Sequence, residues 1–150
     1  MPNTILETDY LILGSGAAGM AFADTLFHET DASMVIVDRH HGPGGHWNDA
    51  YPFVRLHQPS AYYGVNSRAL GGDGRDTSAL NLGMGERASS AEVLTYYDTV
   101  MQAMLASGRV RYFPMSELAE SSARAEPEDR RRRGAAAIGQ WLPRPGLEAV

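Results

Sequence analysis

A chain of 150 residues, 43% of them hydrophobic, suits a single domain with a buried core. A net charge of −5 argues against a nucleic-acid partner, and the lack of cysteine removes disulfides, thiolate catalysis and Cys-ligated zinc. Bulk composition suggests neither disorder nor a membrane span, and the opening MPNTILETDY lacks the basic-then-apolar layout of a secretion signal, so the expected location is cytoplasmic.

The first predicted element is a buried strand over Asp9–Leu13, a short apolar run ending in glycine. A helix follows over Ala17–His28, with Met20, Phe22, Ala23 and Leu26 at helical spacings. SMVIV, residues 33 to 37, reads as a second buried strand ending at Asp38. Strand, glycine turn, helix and strand make a βαβ unit, which requires parallel strands. Residues 39 to 87 are dense in Gly, Pro, Asn and His and read as loop. Ser89 or Ser90 can cap a helix over Ser90–Ala106, with Glu92 in its first turn and Gly108 as its stop. RVRYF, residues 109 to 113, alternates as a third strand, and Pro114 ends it.

Past residue 116 the composition changes. SARAEPEDRRRRGAAAIGQWLPRPG joins a charge run to an alanine run and two nearby prolines, with no strand period. The stretch 117–150 carries six acids and six arginines, so it is neutral, and Arg130–Arg133 is offset by the acids before it. The expected division is an incomplete nucleotide-binding domain over 1–116 and a disordered, low-complexity tail over 117–150.

The chemistry is concentrated in YLILGSGAAG, residues 10 to 19, where Gly14, Gly16 and Gly19 fall at the spacing G-x-G-x-x-G. Gly14 allows a sharp exit from the strand, Gly16 permits close approach of a pyrophosphate, and Gly19 lets the helix pack on the strand. The helix then opens with free amides and a positive dipole end, which a diphosphate satisfies. Ser15 and Ala18 stand where their amides could join in. Asp38, about 20 residues beyond the last glycine, is placed to accept from an adenosine ribose and to repel a 2′-phosphate, favouring FAD or NAD over NADP. The α/β class is therefore a Rossmann-like FAD/NAD(P)-binding fold. A second G-x-G-x-x-A, residues 83 to 88, lacks both the leading strand and the following acid and reads as loop. His40, His41, His46 and His57 lie without the helical pairing of zinc motifs, so no metal is expected.

Gly44-Gly45-His46-Trp47 resembles the G-G-x-W segment of flavin-dependent monooxygenases, and Tyr51, Pro52 and Arg55 follow as in the flavin-containing and Baeyer–Villiger types. The pattern from Asp9 to Phe113 is similar to the N-terminal FAD-binding part of these enzymes or of related NAD(P)/FAD-dependent oxidoreductases. The resemblance implies FAD in the glycine turn, with Gly14, Gly16 and Gly19 at the pyrophosphate, Asp38 at the ribose and Arg39 beside the adenine. It implies that Gly45, His46 and Trp47 run along the cofactor toward the flavin, with Arg55 and His57 near the isoalloxazine. Trp47 reads equally well as an aromatic packed under the loop. Phe53, Val54 and His57 depart from the Baeyer–Villiger pattern, so no reaction subtype follows.

Complete relatives add a second dinucleotide fold for NADPH or NADH and pass hydride to a flavin that activates oxygen. Nothing after Phe113 supplies those parts. The expectation is a small-molecule cofactor as partner, no nucleic acid or membrane, and an inactive fragment whose end follows from a truncated gene read out of frame near residue 117. The alternatives are an NAD-binding module without redox chemistry and a non-functional fragment with a relic glycine turn.

Overall fold

The computed structural model describes residues 4–124 and 133–140. Its centre is a parallel sheet in the order β2-β3-β6, formed by β2 (Tyr10–Leu13), β3 (Met34–Val37) and β6 (Val110–Phe113). Register runs from Tyr10 opposite Met34 to Leu13 opposite Val37, and from Met34 opposite Val110 to Val37 opposite Phe113. All four residues of β3 are buried, which explains why MVIV is continuously apolar: a central parallel strand is covered on both faces.

The two faces have different covers. Met34 and Ile36 join Ile12 and Val110 against the helices α1 (Ala17–Glu29) and α2 (Ser90–Leu105), which contribute Met20, Ala23, Val93, Tyr97, Met101 and Met104. Val35 and Val37 point the other way, onto Leu11, Phe113 and Leu6 of β1 (Thr4–Thr8). The period-2 alternation of strand side chains thus sorts one apolar run into two cores.

The start of α2 is fixed by a capping box. Glu92 N donates to Ser89 Oγ at 3.3 Å, and Ser89 N donates to Glu92 Oε2 at 2.7 Å. At the far end of α1, Arg109 donates to the carbonyls of Phe27 and Thr30, both at 2.8 Å, with its guanidinium 4.6 Å above the Phe27 ring. These bonds satisfy carbonyls that the helix itself leaves open.

Two regions differ from the sequence expectation. The loop-like stretch after β3 contains short helices over Gly45–Asp49 and Ser60–Tyr62 and a small hairpin, β4 (Gly64–Val65) with β5 (Arg68–Ala69). The hairpin is held from outside. Tyr96 Oη accepts from Val65 N at 2.7 Å and donates to Arg68 O at 2.5 Å, while the buried Asp24 of α1 accepts from Ser67 N and Ser67 Oγ.

The stretch expected to be an unstructured tail contains strands β7 (Ser116–Arg124) and β8 (Arg133–Gln140). They form an antiparallel sheet in the order β1-β8-β7, with Thr4 opposite Ile138 and Ser116 opposite Gln140, and a register shift between Leu118 and Glu120. Ala, Ser, Glu and Arg carry little strand preference, so composition gave no signal; main-chain pairing with the distant β1 supplies the order. The remaining parts of that expected tail, 125–132 and 141–150, lie outside the described residues.

Candidate functional site

Residues 14 to 19 link β2 to α1. Gly14 has φ +94°, a conformation that side chains disfavour, and its amide donates to Val37 O at 2.8 Å, tying the turn to the end of β3. A Cβ on Gly19 would lie 2.1 Å from the Gly14 carbonyl oxygen, so only glycine allows α1 to sit this close to the turn. Gly16 is the N-cap of α1, and no side chain caps this helix or places a negative charge in its first turn. The contrast with α2 is physical: α2 satisfies its own amides, whereas α1 leaves its first turn open to an outside acceptor.

A second glycine turn meets the first. Gly44 N donates to Ser15 O at 2.8 Å, and Gly45 adopts φ +57°. A Cβ on Gly45 would come within 2.9 Å of Gly16 Cα. The Gly44-Gly45 pair is therefore needed for the loop after β3 to close over the mouth of α1.

Asp38 is 5% exposed and does not face an open cavity with a free carboxylate. Oδ2 accepts from Ser15 N at 2.5 Å and from Ser15 Oγ at 2.6 Å. Oδ1 accepts from His40 N at 2.8 Å, and His40 Nδ1 lies 2.9 Å from the same oxygen. His40 Nε2 reaches on to Asp49 Oδ2 at 2.9 Å. Burial alone would raise the Asp38 carboxyl; the hydrogen bonds from Ser15 and His40 outweigh it and hold the group below its ordinary value. Tyr112 of β6, 3.3 Å from Ser15 Oγ, is raised chiefly by burial. Ser15, expected to offer its amide to a phosphate, is fully buried and spends that amide on Asp38.

The pocket at this corner has a volume of about 470 Å³. It brings together Gly14, Gly16, Asp38, Arg39, Gly45 and His46 from the sequence-selected residues. His40 and the start of β7, Ser116 to Leu118, complete the wall; sequence reasoning assigned no site role to these residues. His40 had a weak signal, its place two residues after the strand-end acid; β7 had none. Gly19 and Ala18 are on α1 just outside the lining. Trp47 is a core residue, 6% exposed, donating from Nε1 to Tyr63 Oη at 2.9 Å, with His46 tilted against it at 5.3 Å. Arg55 and His57 are exposed and outside the lining; Arg55 donates to Arg87 O at 3.0 Å. Among the described residues no group of three or more His, Asp or Glu side chains could hold a metal ion, and no helix is long and apolar enough to cross a membrane.

This geometry defines a Rossmann-like nucleotide-binding domain, and residues 12–67 match the family described as NAD(P)-binding Rossmann-like domain. More particularly, its fold is similar to part of the fold of flavin monooxygenases. A flavin-containing monooxygenase from Stenotrophomonas maltophilia superposes with a TM-score of 0.58 at 21% identity, over 79% of this chain and 32% of that one. Cyclohexanone monooxygenase in an open structure gives 0.50 at 20% identity, over 76% of this chain and 21% of that one. Uncharacterized proteins of Mycobacterium tuberculosis and Mycobacterium bovis are 58% identical over 117 residues, which is 77% of this chain. The chain spans 22% of the length of those relatives.

Proposed function

We propose that the pocket at the mouth of α1 takes the ADP portion of FAD, and that the chain is the FAD-binding part of an NAD(P)H-dependent flavoprotein oxidoreductase of monooxygenase type. The carrying observation is the uncapped start of α1 beneath two interlocked glycine turns, where any side chain at Gly45 would collide with Gly16 Cα. The residues present fit a diphosphate: open amides, a favourable dipole end, and no carboxylate in the first turn. Arg39 and His46 line the same space and supply donors on either side.

When bound, the flavin supplies hydride acceptance and oxygen activation. This chain's residues bind and orient it. Gly14 and Gly16 shape the cradle, Asp38 and Ser15 brace it, and the β7 segment walls it from solvent. Arg55 and His57, outside the lining, are assigned to the flavin end of the cofactor. The nicotinamide site, the substrate and turnover belong on this reading to the whole-length relatives, and the 150 residues bind cofactor without catalysing the reaction.

The test is the visible absorption spectrum of the purified chain before and after adding FAD. A resolved flavin band that survives desalting supports the reading. Saturable binding of NAD with none of FAD would replace it by a nicotinamide-binding module, which the family match also accommodates. Binding of neither would reduce the glycine turn to a structural element.

A further inference from the structure

We infer that the His40 side chain sets the affinity of the ribose subsite at the end of β3, by occupying in the free protein the Asp38 oxygen that a ribose hydroxyl takes when a dinucleotide binds. The inference rests on the dinucleotide reading above, with Asp38 as the residue that receives the ribose. The two oxygens of Asp38 have separate duties. Oδ2 accepts from Ser15 N at 2.5 Å and from Ser15 Oγ at 2.6 Å, which ties the strand end to the glycine turn. Among the described residues Oδ1 meets His40 alone, accepting from its backbone N at 2.8 Å and lying 2.9 Å from ring Nδ1. A carboxylate only accepts, so Nδ1 donates, as a hydroxyl would. Oδ1 is therefore the oxygen that can be handed over, and the ring is the group standing in the hydroxyl's place.

The ring can leave without disturbing the fold. Met115 N donates to His40 O and Ser116 N donates to Asp38 O, both at 3.0 Å, so main-chain bonds hold both residues whether or not the ring stays. His40 already lines the pocket, and a displaced ring finds water there for Nδ1. What resists displacement is Asp49, at the end of the short helix Gly45–Asp49. His40 Nε2 lies 2.9 Å from Asp49 Oδ2, and the Asp49 side chain is 70% exposed and outside the pocket lining. Asp49 thus holds the ring onto Asp38 from outside. A ligand that must displace the ring binds with an affinity reduced to the fraction of molecules in which the ring is already away. A ring closed in about four molecules of five weakens binding about fivefold. The penalty falls only on ligands that use Oδ1, which separates this role from simple bulk.

Calorimetric titration of the whole chain with ADP and 2′,3′-dideoxy-ADP tests the inference. His40→Ala should bind ADP about fivefold more tightly than the wild type, and the dideoxy compound with unchanged affinity. Asp49→Asn keeps the ring but weakens its tether, and should tighten ADP roughly twofold, as loss of an exposed ion pair gives. An ADP affinity that stays the same or falls in His40→Ala would show that the ring does not compete for Asp38, and the inference would be lost. An equal gain for both ligands would mean that the ring merely crowds the pocket, and would overturn it as well. Should His40→Ala prove unstable, Asp49→Asn decides alone, an unaltered ADP affinity being the refuting result. The underlying reading is checked separately. A wild type that binds no ADP strikes the dinucleotide assignment, and a His40→Ala variant that binds ADP no more tightly than the dideoxy compound removes the ribose from Asp38.

Discussion

Alanine at Gly19 and alanine at Gly16 should have opposite consequences. A glycine-to-alanine change inside a helix ordinarily stabilises by about 0.5–1 kcal/mol. At Gly19 the new Cβ falls 2.1 Å from the Gly14 carbonyl oxygen, more than 1 Å inside the 3.4 Å at which ordinary contact begins. Both atoms are fixed by backbone, so α1 must move off β2 and loosen the packing of Met20 and Ala23, both fully buried. Overpacking of that kind costs about 1–3 kcal/mol and at times more, which overwhelms the helix gain. For a domain of this size we expect a fall in melting temperature of roughly 10 °C, followed by circular dichroism. At Gly16 the Cβ meets Gly45 Cα at 3.5 Å, ordinary contact, and the backbone is extended rather than left-handed. Gly16→Ala should melt within about 2 °C of the wild type. The same methyl stands in the cradle, and pushing a diphosphate off two amides should cost about 3–5 kcal/mol, or at least a hundredfold in FAD affinity. If Gly19→Ala melts unchanged, the close approach of helix and turn is not real. If Gly16→Ala binds FAD as tightly as the wild type, the cradle is elsewhere.

Acid should weaken the fold through Asp38. Its carboxyl is held below the ordinary value of 3.8, so its contribution is present above about pH 4 and is lost as pH falls through the lowered value; Asp38→Asn should flatten that part of a stability-against-pH curve, and an unchanged slope would refute the coupling. Among the described residues no group meets the buried Tyr97 hydroxyl with hydrogen-bond geometry, and burial, reinforced by the neighbouring Tyr63 hydroxyl, pushes it up from its usual range. Tyr97→Phe should therefore be neutral or stabilising by about 1 kcal/mol in urea denaturation, whereas a clear loss would reveal a bond to that oxygen. Ser89→Ala removes the cap of α2 and should cost about 1 kcal/mol by the same measurement; no loss would mean that Glu92 alone secures the helix start.

The parallel core was readable because each element announces itself locally. YLIL and MVIV are apolar runs closed by a glycine or an acid, and the Ser89–Glu92 signature opens α2 at the residue where the structure opens it. Elements that depend on distant partners were not readable. β4 and β5 exist because Tyr96 and Asp24 hold them, and β7 and β8 pair through backbone groups that alanine and arginine do not advertise. The site divides in the same way. Gly14, Gly16 and Asp38 stood out by their spacing, Gly45 through the resemblance of its G-G-x-W segment, and the structure brings the four to one pocket. The partners of Asp38 did not stand out. Nothing in a one-dimensional pattern says that Ser15 and His40 claim all of its lone pairs, or that residues 116 to 118 return to the corner.

The unequal starts of the two helices carry a consequence for exchange with solvent. Amides at the head of α2 are already protected, by Ser89 and by the turn that follows, and should take up deuterium slowly whatever is dissolved beside them. Those of Ala17, Ala18 and Gly19 should label within the first moments in free protein and slow down once an anion sits over them. Each molecule thus holds its own reference, and the ratio of the two rates would report occupancy at the glycine turn even for a colourless ligand.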